Sequence, residues 1–175
     1  METKTSTNTN SHSNRISLFT DGQSILKTLG AFATHLMHSS LPEKLLHLIY
    51  YRVSQINGCA FCLDMHSKDL LAAGENVQRL LVLDAWRETP FFSKTERAAL
   101  AWAEAVTQLT GAEVPDEVYK EASSCFTSEQ LMDLTLGITA INTYNRFNIA
   151  FPPVVGGYKP GMFANKTSRQ SNKQS

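Results

Sequence analysis

The sequence has neither a long apolar run nor an excess of charge of one sign. No apolar stretch reaches the roughly 18 residues that a transmembrane helix needs. Lysine plus arginine number 16, as do aspartate plus glutamate, so the formal net charge is zero. Proteins that bind nucleic acid or a membrane surface usually carry a basic excess. We therefore expect neither nucleic acid nor a membrane as a partner.

Cysteine is also scarce, with three residues in the chain. So small a number does not support the disulfide framework of a secreted domain. The first 19 residues, METKTSTNTNSHSNRISLF, lack the apolar segment of a signal peptide. We therefore predict a cytoplasmic protein. In that reducing compartment a Cys-x-x-Cys pair is more often redox-active or metal-binding than a structural disulfide.

Apolar periodicity is missing from both ends of the chain. Residues 1–14 and 164–175 are polar and rich in Ser, Thr, Asn, Gln and Lys. We expect disordered polar tails at 1–14 and 161–175 and one folded domain over 15–160. An apolar content of 42% is enough for a sizeable core in that domain.

Between the tails no segment alternates cleanly between apolar and polar residues, whereas apolar residues recur at spacings of three and four. This pattern predicts an all-α helical bundle. Capping-box pairs at Ser40/Glu43, Ser93/Glu96 and Thr127/Gln130 predict three of the helix starts. The expected helices cover about residues 22–38, 41–57, 59–73, 77–86, 94–110, 115–124 and 128–150. Asn57-Gly58 predicts a helix end directly before the first cysteine of the pair.

The segment QINGCAFCLDMHSKDL, residues 55–70, combines residues capable of redox chemistry. Residues three and four apart share one face of a helix, so Cys59, Cys62 and His66 form a single stripe. Cys59 lies at the helix N-terminus, where the helix dipole favours a thiolate. His66 lies one turn beyond Cys62 and is a candidate proton donor or acceptor. The stripe therefore predicts a redox-active dithiol with its own base.

Two other interpretations of the pair remain open. Zinc would require two further ligands, for which His66 and His47 are candidates, but the spacing matches no usual zinc finger, so we expect no bound metal. The cysteines could also be buried structural residues, because a free thiol packs as a small hydrophobe. Leu63 follows the second cysteine, which is not the pattern of c-type haem attachment. We expect the isolated Cys125 to be a packing residue.

Three segments, LLHLIYYRVSQINGCAFCLDMHSKDLLAAGE, AWRETPFFSKTERAALAWAEAVTQL and LTLGITAINTYNRFNIAF, resemble the alkylhydroperoxidase AhpD-like family of the carboxymuconolactone decarboxylase superfamily. The resemblance implies an all-α fold assembled as homo-trimers or hexamers. It implies a peroxidase that reduces a hydroperoxide substrate, has no cofactor, and is regenerated by an external dithiol reductant. It assigns peroxide attack to Cys62, disulfide formation to Cys59 and proton relay to His66, together with a glutamate twelve residues before the first cysteine.

The sequence departs from this pattern at the position of that glutamate, which is His47, and Glu43 lies one turn earlier. Either His47 replaces the carboxylate in the relay or it has no chemical role. Disulfide reduction, a decarboxylase-related activity and a non-catalytic oligomer remain alternative functions. A polar patch in the last helix, Asn142, Asn145 and Arg146, needs partners, which either a subunit interface or solvent at the helix end could supply.

Overall fold

The computed structural model describes residues 15–163, and every regular element in that range is helical. The all-α prediction is therefore confirmed, whereas the tails predicted at 1–14 and 161–175 lie outside the described residues, apart from residues 161–163. The eight α-helices in this range are α1 (Leu18–Asp21), α2 (Gln23–Leu36), α3 (Glu43–Asn57), α4 (Ala60–Ala72), α5 (Val77–Leu81), α6 (Lys94–Gln108), α7 (Asp116–Cys125) and α8 (Ser128–Ala150). None of them is both long and apolar enough to cross a membrane.

Two of the three predicted capping boxes form. The Ser93 side chain accepts a hydrogen bond from the Glu96 amide, and the Glu96 carboxylate accepts one from the Ser93 amide. Thr127 and Gln130 make the same reciprocal pair at the start of α8. The Ser40/Glu43 box is wrong, because Pro42 caps α3 with no side-chain hydrogen bond.

The helix predicted over residues 77–86 is broken. Helix α5 ends at Leu81, and a 3₁₀ segment, Leu83–Glu88, follows with a non-helical backbone at Ala85. Helix α6 ends at Gln108, slightly earlier than expected, because Leu109 adopts a left-handed conformation with φ of 41°. These differences lie away from the Cys-x-x-Cys segment.

Helix α3 lies at the centre of the bundle and packs against α4, α6 and α8. Its side chains Leu48, Ile49 and Val53 are completely or almost completely buried. One charged residue, Arg52, is also buried on this helix, where its Nε donates to Glu104 Oε1 on α6 at 2.8 Å. A buried charge is tolerated when it is paired, so α3 is fixed by both apolar packing and an ion pair.

Candidate active site: a buried dithiol beside a histidine pair

The dithiol is placed by the tight junction between α3 and α4. Helix α3 ends at Asn57 and is capped by Gly58, whose φ of 69° is left-handed and favours glycine. The Cys59 amide then donates back to the Ser54 carbonyl at 3.1 Å. Cys59 is the N-cap of α4 and Cys62 lies in the first turn. The Asn57-Gly58 stop predicted from the sequence therefore brings Cys59 to the helix N-terminus, as expected.

Cys59 and Cys62 are free thiols whose Sγ atoms lie 2.7 Å apart. Both side chains are buried, with 1% and 0% of their surfaces exposed. Hydrogen bonding from Cys62 lowers the pKa of the Cys59 thiol to about 7, despite the opposing effect of burial. The same contact and burial raise the pKa of Cys62. The pair therefore has one acidic thiol and one that stays protonated.

Helix α8 supplies a polar contact to the dithiol. Asn148 Nδ2 donates to Cys62 Sγ at 3.3 Å, and both residues are buried. This bond acts to lower the pKa of Cys62, against the larger effects of Cys59 and burial. The sequence analysis missed Asn148, which lies 86 positions beyond Cys62.

The polar patch on α8 finds its partners within the chain. Asn145 Nδ2 donates to Ser54 Oγ at 3.0 Å, and Asn57 Nδ2 donates to both Asn145 and Asn142 at 2.9 Å. Arg146 donates to the Asn142 carbonyl at 2.8 Å. Asn142 and Asn145 therefore have partners at the end of α3 and Arg146 has one on α8 itself, so these contacts do not require a subunit interface. The network fixes α8 against the segment that carries the cysteines.

His66 lies beside His47 rather than in hydrogen-bonding contact with the thiols. The Nδ1 atoms of the two histidines lie 3.4 Å apart, and among residues 15–163 no hydrogen bond joins His66 to either Sγ. Burial, with a smaller contribution from His47, lowers the pKa of His66 to about 3. His66 is therefore neutral near pH 7. Its Nε2 is buried and has no hydrogen-bond partner in the described part of the chain.

Two carboxylates flank His47. Asp69 Oδ2 lies 3.9 Å from His47 Nδ1, and the exposed Glu43 has an oxygen 3.8 Å from His47 Nε2. Asp69 in turn accepts hydrogen bonds from the Tyr158 hydroxyl at 2.8 and 3.0 Å. Asp69 is a second residue that the sequence analysis missed. Its spacing from His66, three residues along the same helix, was the available signal.

The loop after α8, residues 151–163 and here called the C-terminal loop, is fastened to the outer side of α4. Lys68 Nζ donates to the carbonyl oxygens of Gly156 and Tyr158 at 3.0 and 3.2 Å. Asp64 accepts from the Gly156 amide at 3.2 Å. These contacts, together with the Tyr158–Asp69 bond, hold the loop over the helix that carries the motif.

The third cysteine is separate from this arrangement. Cys125 is the last residue of α7, is partly buried and packs against the hydrophobic core. Its Sγ lies 3.6 Å from the Ser124 hydroxyl oxygen. A packing role agrees with these contacts.

Comparison with known proteins agrees with the fold and the motif. Residues 23–105 match the model of the carboxymuconolactone decarboxylase family. The uncharacterised protein YdfG of Bacillus subtilis is 40% identical over 138 residues, which are 79% of this chain and 94% of YdfG. The chain therefore belongs to the carboxymuconolactone decarboxylase family and to its AhpD-like group, as the sequence indicated.

Two further relatives extend the comparison. The uncharacterised protein YnjA of Escherichia coli is 33% identical over 112 residues, which are 64% of this chain and 61% of YnjA. A crystal structure of a protein of unknown function from Agrobacterium tumefaciens, for which the role of an antioxidant defence protein AhpD has only been suggested, superposes with a TM-score of 0.77. It is 35% identical, and the match covers 81% of this chain and 97% of that one.

Proposed function

We propose that this protein is a thiol-dependent peroxidase that reduces hydroperoxides through a cycle between the Cys59/Cys62 dithiol and its disulfide. The observation that carries the proposal is the buried pair of Sγ atoms 2.7 Å apart, one with its pKa lowered to about 7 and the other with its pKa raised. Such a pair holds a thiolate at neutral pH and a second thiol within bonding reach. Membership of the AhpD-like group supports this chemistry.

The resting thiolate is Cys59, and we assign peroxide attack to Cys62, as the family resemblance implies. Cys59 first takes the Cys62 proton across their contact. The Cys62 thiolate then attacks the terminal peroxide oxygen, the O–O bond breaks, and the alkoxide takes up a proton to leave as an alcohol. Cys62 is now a sulfenic acid, and the Cys59 thiol condenses with it to give the disulfide and water. Asn148 supports the attack by Cys62, because its hydrogen bond to Cys62 Sγ favours the thiolate form of this cysteine.

The histidine pair is proposed to supply the proton for the departing alkoxide. A neutral imidazole accepts a proton at one ring nitrogen and releases one from the other, so buried His66 can pass protons without becoming a stable cation. His47, whose side chain is 23% exposed, links His66 to solvent, and the Asp69 carboxylate lies 3.9 Å from His47 Nδ1. Asp69 would thus provide the carboxylate that is missing at position 47, where the family pattern has a glutamate and this chain has His47.

The cycle requires an external dithiol reductant. One thiolate of the reductant attacks the Cys59–Cys62 disulfide to form a mixed disulfide, and its second thiol then displaces the protein sulfur. The reductant leaves as its own disulfide, and both protein thiols are restored. Such donors are maintained in the cytosol, which is where we propose that the protein acts. We also propose that it works as a homo-oligomer. Apolar side chains exposed on the chain, including Ile25, Met37 and Met132, agree with an interface between copies.

Peroxide treatment of the reduced protein tests the function. One equivalent of an alkyl hydroperoxide should convert Cys59 and Cys62 to one disulfide and leave Cys125 reduced, as measured by peptide mass mapping. Cys125→Ser should consume peroxide at the unaltered rate, whereas Cys59→Ser/Cys62→Ser should not react. The proposal fails if the folded wild-type protein keeps both thiols after exposure to peroxide.

Disulfide reduction is the second candidate, and the lowered pKa of Cys59 favours it. Both activities use the same dithiol, so their rates separate them. The peroxidase proposal predicts that the reduced protein reacts faster with an alkyl hydroperoxide than with a small peptide disulfide at equal concentration. The reverse order would favour the reductase.

A further inference from the structure

Three potential metal ligands converge where α3 passes α4. A ring nitrogen of His47, a ring nitrogen of His66 and a carboxylate oxygen of Asp69 all lie within 4.8 Å of one another. The Asp69 carboxylate accepts from Tyr158, and no lysine or arginine among residues 15–163 lies within salt-bridge distance of it. Two imidazoles and an unneutralised carboxylate form a donor set that suits a divalent transition-metal ion.

The spacing of the two nitrogens favours tetrahedral coordination. Zinc–nitrogen bonds of about 2.0–2.1 Å at tetrahedral angles place two ligand atoms about 3.4 Å apart. His47 Nδ1 and His66 Nδ1 are 3.4 Å apart. Asp69 Oδ2 is 3.9 Å from His47 Nδ1, and the three ligand atoms lie within 4.8 Å of one another, so the carboxylate has to move closer to the two nitrogens to become the third ligand, with the fourth position left for water. We propose that His47, His66 and Asp69 form a Zn²⁺ site, and that the metal bound there stops the peroxidase cycle.

The surroundings of two of the three ligands, His47 and Asp69, match those of protein zinc sites. Ligating histidines usually direct their second ring nitrogen towards a carboxylate, and ligating carboxylates are themselves hydrogen-bonded. Glu43 lies 3.8 Å from His47 Nε2, the nitrogen that faces away from Asp69. The Tyr158 hydroxyl donates to Asp69. His47 is half-buried, so the metal has a route from solvent. His66 is buried, so the surrounding side chains hold this ligand in place.

This site differs from the cysteine–histidine site weighed from the sequence. The group of potential ligands found among the described residues contains no cysteine. Cys59 and Cys62 contact each other, and Cys62 contacts Asn148. Asp69 is the ligand that the sequence analysis did not consider, and it makes a sulfur-free site possible.

Inhibition follows from the atoms that the metal occupies. Coordination uses the Nδ1 lone pairs of both histidines, and a coordinated nitrogen cannot accept a proton. This part of the inference rests on the proposed function, because it assumes that His47 and His66 relay protons to the departing alkoxide. Binding itself does not depend on that assumption.

Calorimetry with ZnCl₂ on the reduced, chelator-treated chain tests binding. We expect one equivalent to bind, and the same affinity in Cys59→Ser/Cys62→Ser. His47→Ala and Asp69→Asn should each weaken binding by at least about 10-fold, and Tyr158→Phe by about 10-fold. Asp64→Asn is the matched control, because Asp64 lies on the same helix but pairs with Lys68 and Gly156; its affinity should be unchanged.

A second measurement identifies the ligand atoms. Co²⁺ bound to nitrogen and oxygen gives visible ligand-field bands without the near-ultraviolet sulfur-to-cobalt charge-transfer band. That spectrum is expected for the wild-type chain. A sulfur charge-transfer band, loss of zinc binding in the double cysteine variant, or unweakened binding in both His47→Ala and Asp69→Asn would overturn the site.

The effect on activity is measured in a single turnover, without a dithiol donor that would itself chelate zinc. Reduced protein is mixed with one equivalent of alkyl hydroperoxide, and disulfide formation is followed with and without one equivalent of Zn²⁺. We expect zinc to slow the reaction at least about 10-fold, the lower end of the contribution of general acid–base groups, and chelator to restore it. Binding without inhibition would refute the inhibition and the relay while leaving the site. An active protein that binds no zinc would refute the site alone.

Discussion

Asn148, near the end of the longest helix, donates a hydrogen bond to the sulfur of Cys62 near the start of α4 at 3.3 Å. The two residues are far apart in sequence, yet both are buried at the same point. The chemistry of the second cysteine therefore depends on how α8 packs against the junction of α3 and α4.

Asn148→Ala should slow the reaction of the dithiol with peroxide. Removal of the donor raises the pKa of Cys62 further, so the attacking thiolate forms less often. We expect a loss of roughly 10-fold, about the value of a hydrogen bond to a charged group. Stopped-flow oxidation measures the rate, and Asn142→Ala, on the same helix without a bond to sulfur, is the control. An equal loss in both variants would indicate a general packing effect.

His47→Glu should raise the rate near neutral pH by about 10-fold, the lower end of what general acid–base groups contribute. A carboxylate in place of the imidazole favours the protonated form of His66 and removes the neighbour that now lowers its pKa. Initial rates across a pH series measure the effect, and His47→Ala shows whether His47 contributes at all. If neither substitution changes the rate or the pH profile, His47 has no part in the chemistry.

Burial of His66 predicts how stability depends on pH. Its pKa falls from 6.5 to about 3 on folding, so the unfolded chain binds more protons between these values. The contribution of neutral His66 to stability is therefore complete above pH 6.5 and is lost as the pH falls towards about 3.

Urea unfolding at a series of pH values, in the presence of chelator, measures this dependence. His66→Gln should show a shallower loss of stability below pH 6.5 than the wild-type chain. His38→Ala, which removes an exposed histidine bonded to the Thr34 carbonyl, should retain the wild-type slope. Parallel curves for His66→Gln and the wild type would mean that His66 does not remain neutral.

Gly58→Ala should destabilise the fold by about 1–2 kcal/mol, because an alanine at a φ of 69° is strained. Gly30→Ala is the opposite case: Gly30 lies within α2, and an added Cβ there meets no atom within 4 Å. It should stabilise the protein by about 0.5–1 kcal/mol. Thermal unfolding of both variants tests the assignment, and a Gly58→Ala protein as stable as the wild type would contradict it.

The assembly state is predicted from the family resemblance. Light scattering at micromolar concentration should give a mass of at least three chains. A species of 19.4 kDa, the mass of one chain, would contradict the oligomer.

Local signals in the sequence predicted the helices and the position of the dithiol, whereas contacts between distant segments were not predictable. The Asn57-Gly58 stop and the three-residue spacing fix Cys59 and Cys62 through backbone geometry alone. Asn148 and Tyr158 reach the site only through tertiary packing, which no spacing in the sequence encodes. The pattern of Ser40 and Glu43 was misleading, because the cap of the helix is Pro42, two residues later than the capping box requires.

The attachment of the C-terminal loop to α4 has a consequence for limited proteolysis. A single cut between Phe151 and Tyr158 would leave all eight described helices uninterrupted while freeing the hydroxyl that orients Asp69. Circular dichroism would then register almost no change, although the Asp69 carboxylate beside the histidine pair would have lost its anchor. Protease sensitivity in this short stretch is therefore a more sensitive indicator of an intact site than helical content.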